Sequence, residues 1–151
     1  MSDLVAFLEA RFADDERDAR AAAAANPGAA ATRWVAEQVD HRSSTGLRGK
    51  AWAVVPERVK GVAIAISPSG VRPLCVTHIG RHDPARVLAE AEAKRMIMEE
   101  HGIECPGEEF QHCRVCHDYS RHDATRAPCR TLRLLALPYA DHENYREEWR
   151  I

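Results

Sequence analysis

The chain has 151 residues, of which 21 are Lys or Arg and 23 are Asp or Glu, so its formal net charge is −2. This length suits a single domain over residues 1–151, and the charge excludes a generally basic nucleic-acid binder or a protein dominated by an acidic tail. Hydrophobic residues make up 45% of the chain and aromatic residues only 6%, which predicts a thin core, whereas five Cys and eight His are unusual at this length.

The compartment follows from the N-terminus and from the cysteines. No segment approaches the roughly 20 consecutive apolar residues of a membrane-spanning helix, so we expect no membrane association. The first residues lack the basic start and the cleavage site of a signal peptide. An odd number of Cys favours reduced or metal-bound thiols over a disulfide framework. We therefore expect a cytoplasmic protein.

An N-terminal helix is predicted over residues 2–25, where apolar side chains recur at spacings of three and four. These side chains are Leu4, Val5, Leu8 and Phe12. Ser2 or Asp3 can cap the helix, and the Asn-Pro-Gly string at 26–28 ends it.

A small antiparallel sheet is predicted over residues 33–79, because Val, Ile, Trp and Thr are frequent there and Gly and Pro punctuate the runs. The connections are too short for a parallel crossover. We expect strands near residues 33–40, 51–55, 62–66 and 74–79.

Two further helices are predicted. The first covers residues 84–101, with Asp83 as the N-cap and Pro84 at the first helical position. The second covers residues 129–137 and is expected to be buried, and Trp149 is expected to pack the tail against the core. The whole pattern predicts an α+β fold, in which an N-terminal helix (1–28) and an antiparallel sheet (33–79) precede a helix, a Cys/His-rich loop and a C-terminal helix (83–151).

The Cys/His-rich segment 102–128 is long for an irregular loop in a compact domain, so something must hold it in place. Cys113 and Cys116 form a C-x2-C pair, which lets two thiolates reach one ion from a tight turn. Cys129 begins the C-terminal helix, where backbone N–H groups favour a thiolate. His101 lies at the end of the preceding helix. These four residues predict a zinc site, because thiolate and imidazole match the softness of zinc.

The fourth ligand stays open at this stage, although a helix end is a firmer anchor than a loop and favours His101. The alternatives are Cys105, His112, His117 and His122. Three thiolates and one further protein ligand leave no coordination position for water, so the expected site is structural rather than catalytic.

Residues 33–82 hold eight basic and three acidic residues, a local net charge of +5. Aromatic rings on a basic sheet can stack bases while cations hold phosphates, so nucleic-acid binding is one alternative function. The residues that would carry it are Trp34, Trp52, Arg48 and Lys50. Packing of both Trp side chains in the core is the simpler interpretation.

A metal-dependent hydrolase is a second alternative. His78 and His82 are four residues apart, but the predicted strand end and turn make their geometry poor for a metal. Asp141 could join them only near a metal with an open position. The sequence contains no phosphate-binding loop, dinucleotide fingerprint, nucleophile elbow or zincin motif.

Several strings resemble a family of small proteins of unknown function from actinobacteria and their phages. They are DLVAFL at 3–8, HIGRHDPARVL at 78–88, EAKR at 92–95, PCRTLRLLALPYADH at 128–142, Tyr145 and Trp149. The resemblance covers about half the chain and implies that Cys113, Cys116 and Cys129 belong together. Glu143 stands where the family usually has Pro, which leaves the tail turn less constrained.

The residues together predict a small zinc-stabilised interaction or regulatory module without enzymatic activity. We expect a protein partner, bound through the sheet or the C-terminal helix.

Overall fold

The computed structural model describes residues 3–25, 33–42, 46, 48–57, 63–67, 73–104, 111–116 and 127–151. The elements in chain order are α1 (Asp3–Ala24), β1 (Trp34–Arg42), β2 (Arg48–Pro56), β3 (Ala65–Ser67), α2 (Pro73–Arg81), α3 (Pro84–Glu100), β4 (Ile103–Glu104), β5 (His112–Cys113), α4 (Arg130–Ala136) and two 3-10 turns at Leu137–Tyr139 and Glu147–Trp149. The predicted α+β class is confirmed. None of the described helices is long and apolar enough to cross a bilayer.

Contacts divide the chain into two compact units. The first comprises residues 1–14 and 90–151 and is called the cysteine unit here. The second comprises residues 15–89 and is called the sheet unit. The expectation of one domain over the whole chain stays a prediction.

The cysteine unit has a hydrophobic core formed by both ends of the chain. The predicted stripe of α1 is confirmed, since Leu4, Leu8 and Phe12 are buried and Val5 packs beside them. Trp149 is 5% exposed and joins this core, as expected. The remaining core members are Phe7, Met98, Cys113, Cys129, Leu132 and Ala136.

The sheet unit holds an antiparallel sheet in the order β1-β2-β3. Trp34 faces Pro56 at one end of the β1–β2 ladder, and Arg42 faces Arg48 at the other. Gly46 lies in the connection with φ of +87°, a left-handed conformation that glycine adopts without a steric penalty. Antiparallel pairing is therefore confirmed.

The predicted strand at residues 74–79 is wrong, because this segment belongs to α2, which packs on β1 and β2. Val76 and Gly80 are both buried and lie four residues apart, the spacing of one helix face. A Cβ atom on Gly80 would lie 3.4 Å from the backbone nitrogen of Ala36, an ordinary van der Waals distance, so α2 lies against the backbone of β1 and leaves little room for a side chain larger than alanine. The β-branched Val76 and Thr77 suggested a strand, and tertiary packing overrides that propensity.

The cap of α3 is confirmed. The Asp83 carboxylate accepts hydrogen bonds from the backbone N–H of Arg86 at 2.8 Å and of Trp34 at 3.3 Å. Because Asp83 is buried, these bonds offset the cost of removing its carboxylate from water. The same side chain thus begins α3 and holds the start of β1.

Candidate metal centre

Four local structures position the Cys and His side chains of the cysteine unit. His101 directly follows α3, and its backbone N–H donates to the carbonyl of Ile97 at 3.0 Å. Cys113 ends β5, Cys116 ends the turn after it, and Cys129 is the N-cap of α4. The expectation that Cys129 begins the C-terminal helix is confirmed.

The β4–β5 ladder places the C-x2-C turn beside the end of α3. Ile103 faces Cys113 in the ladder, and the backbone N–H of Arg114 donates to the carbonyl of Gly102 at 2.9 Å. The Cys113 thiol also donates to the carbonyl of His101 at 3.6 Å. The C-x2-C turn is therefore held beside the end of α3 by backbone pairing.

The three cysteine sulfur atoms surround the Nδ1 atom of His101. This atom lies 3.4 Å from the sulfur of Cys113, 3.4 Å from that of Cys116 and 3.5 Å from that of Cys129. With metal–sulfur bonds of about 2.3 Å and metal–nitrogen bonds of about 2.0–2.1 Å, tetrahedral coordination separates nitrogen from sulfur by about 3.5 Å. All four ligand atoms lie within 4.8 Å of one another. The arrangement is compatible with metal binding.

The cluster is continuous with the hydrophobic core. Cys113 is 0% exposed and Cys129 is 1% exposed, and both belong to the core of the cysteine unit. Cys116 and His101 are half-buried, and the three cysteines are free thiols rather than disulfides. An ion held here would be largely shielded from solvent.

The thiols titrate unequally without a metal. Burial raises the pKa of Cys113, but hydrogen bonds from the backbone N–H groups of Cys116 and Val115, together with those from the thiols of Cys129 and Cys116, bring the pKa below its usual value. Burial, the hydrogen bond with the Cys113 thiol and the charge of Cys129 raise the pKa of Cys116 to about 12. A cation at the centre would favour the thiolate form of both residues.

The backbone N–H groups of Val115 and Cys116 are the site groups that the sequence analysis missed. A backbone donor carries no residue identity, so only the C-x2-C spacing could have indicated that it faces the first sulfur.

The structure brings together the four residues that the sequence favoured, and their role as ligands stays a prediction. Of the alternative fourth ligands, His112 lies in β5 and is not a member of the cluster. Cys105, His117 and His122 lie outside the described residues.

His78 and His82 do not lie at a strand end, as the sequence suggested, but at the C-terminal end of α2 and in the turn that follows it. Their rings are exposed, with centroids 4.5 Å apart. Asp141 is exposed in the turn after the first 3-10 helix. Among the described residues, the Cys/His cluster contains none of these three side chains.

The nucleic-acid candidates all lie in the sheet unit. Trp34 and Trp52 are half-buried, whereas Arg48 and Lys50 are exposed near the hairpin end of β2. The expected burial of both Trp side chains is therefore only partial.

These observations define the class of the protein: a small α+β chain with a Cys3His cluster built on its core. The chain belongs to a family of unknown function, DUF6221, whose model matches residues 1–151. No curated protein and no solved structure matches it. Family membership agrees with the expected resemblance, and the function has to be argued from the site.

Proposed function

We propose that the protein is a small zinc-stabilised interaction or regulatory module without enzymatic activity. The observation that supports this proposal most directly is that the Nδ1 atom of His101 lies 3.4–3.5 Å from the sulfur atoms of three cysteines. Three thiolates and an imidazole favour zinc among the common biological metals. Four protein ligands complete a tetrahedron and leave no position for a reacting water.

The metal would cross-link separate parts of the cysteine unit. The four residues lie directly after α3, in β5, in the following turn and at the N-cap of α4, so one ion would join four local structures of the cysteine unit. Structural zinc sites of this kind contribute directly to folding free energy.

A protein partner is our proposal for what the module binds. The C-terminal helix was expected to be buried, but only one face is: Leu132 is enclosed, whereas Leu134 is 47% exposed and Leu137, just beyond the helix, is 39% exposed. Such exposed apolar side chains would contribute to a binding surface if they join into one contiguous patch, since contiguous apolar patches mark protein-binding sites. The reduced thiols support a cytoplasmic location, and the family resemblance supports an actinobacterial or phage origin.

The test is metal analysis of the full chain, purified without added metal. We expect about one zinc per chain, and Co²⁺ substitution should give the absorption bands of tetrahedral cobalt bound to thiolate. His101→Ala should lower the zinc content, while the matched control His112→Ala should leave it unchanged. Less than half an equivalent of zinc, together with unchanged folding in chelator, would contradict the proposal.

A further inference from the structure

The strand register places aromatic and basic side chains on one face of the β1–β2 hairpin. Residues that face each other across antiparallel strands share a side of the sheet, and alternate residues along a strand share it too. Trp52 faces Gln38, Lys50 faces Asp40 and Arg48 faces Arg42. The hairpin face defined by this register carries Trp34, Trp52, Arg42, Arg48 and Lys50.

The charge of this hairpin face is positive. Arg42, Arg48 and Lys50 are exposed, and Asp40 is the one carboxylate among the strand residues on this side. Lys50 pairs with Asp40 at 2.6 Å, and both side chains are largely in solvent. Such an exposed ion pair contributes little stability, so Lys50 can exchange to another anion at low cost.

The cations surround a concave surface. A pocket of about 570 Å³ at the hairpin end is lined by Arg42, Arg48 and Lys50, together with Asp40, His41 and Gly49. His41 and Gly49 face each other on the opposite side of the ladder, so the pocket wraps around the hairpin end rather than lying on one face. Further along the same face, Trp52 lies opposite the residue four positions after Trp34. Four residues of strand place the backbones of these two positions about 13 Å apart along the hairpin.

We propose that the hairpin face binds single-stranded nucleic acid. Arg42, Arg48 and Lys50 would hold backbone phosphates, and the half-buried Trp52 would stack a base. An acidic peptide would match the cations but would leave the aromatic rings unused, whereas every base has a π face. All these residues belong to the sheet unit, so the proposal goes beyond the zinc-stabilised module and does not depend on it.

The test uses the full metal-loaded chain and a fluorescein-labelled 12-nucleotide oligothymidylate, with binding followed by anisotropy. Three phosphate contacts predict a slope of about −2 for log affinity against log salt, or about a 20-fold loss between 50 and 200 mM salt. Arg48→Gln with Lys50→Gln should reduce the slope to about −0.7. The matched control is Arg17→Gln with Arg150→Gln, which removes two exposed charges elsewhere and should leave binding unchanged.

Stacking is tested at Trp52. Trp52→Leu should weaken binding about tenfold, while Trp52→Phe, which keeps a ring, should bind within about threefold of the parent. If Trp52→Leu fails to fold, quenching of tryptophan emission by unlabelled oligothymidylate decides instead: quenching supports stacking, and its absence overturns it.

Four results would overturn the proposal. They are no binding at 50 mM salt, equal loss in the hairpin and control variants, equal affinity for duplex and single strand, and equal competition by polyglutamate. The last result would assign the hairpin face to an acidic protein.

Discussion

In the proposed zinc site Cys129 would tie α4 to the end of α3, and replacing it by serine would remove that ligand. Cys129 and His101 are 28 positions apart, so a metal joining them closes a long loop. By the relation used for disulfides, a cross-link over such a loop removes about 3–4 kcal/mol of chain entropy from the unfolded state. We therefore expect Cys129→Ser to lower the free energy of unfolding by about 3–4 kcal/mol, or roughly 10 °C in Tm.

The assay is thermal unfolding followed by circular dichroism, with zinc content measured on the same samples. Cys75→Ser is the matched control, because Cys75 is an exposed free thiol on α2. It should retain the parental Tm and zinc content. If Cys129→Ser keeps a full equivalent of zinc and its Tm within 2 °C, or if Cys75→Ser loses as much, the cross-link argument fails.

Three further substitutions test packing and capping by urea unfolding. Asp83→Ala should cost about 2 kcal/mol, because the cap of α3 and a buried acceptor are lost, and an unchanged midpoint would contradict this. Trp149→Ala should cost about 3–5 kcal/mol by leaving a cavity in the core, and Trp149→Phe should cost less. Gly80→Val should destabilise the sheet unit by at least 1 kcal/mol. Gly49→Ala should be nearly neutral, because its Cβ meets nothing within 4 Å. Equal effects of the two substitutions would exclude the close approach of α2 to β1 as the cause.

The elements with strong local signals could be predicted from the sequence. The stripe on α1, the Asp83–Pro84 start of α3 and the cysteine at the start of α4 each combine periodicity with a cap or turn signal. The antiparallel pairing of β1 and β2 followed from a short connection. These features depend on neighbours in sequence, which a single chain displays directly.

The predictions that were wrong or stayed open depend on contacts between residues that are far apart in the sequence. The β-branched residues of α2 locally favour a strand, and its packing on β1 and β2 is a long-range contact that the sequence does not display. The sequence left the identity of the fourth cluster residue open for the same reason. The β4–β5 pairing sets the C-x2-C turn beside His101, and His101 rather than His112 belongs to the cluster. The sequence grouped Trp52 with Arg48 and Lys50 by their position in the basic segment, but only the register shows that they share one side of the sheet.

The cysteine unit is formed by two separate stretches of the chain, and this affects the order in which it can assemble during synthesis. Residues 1–14 are synthesised before the sheet unit, whereas their core partners, including Leu132 and Trp149, are synthesised after it. The continuous sheet unit at 15–89 can begin to fold while α1 still exposes Leu4, Leu8 and Phe12. The nascent chain therefore carries an uncovered apolar stripe until these partners emerge, and the Cys3His cluster can assemble only after Cys129 has emerged.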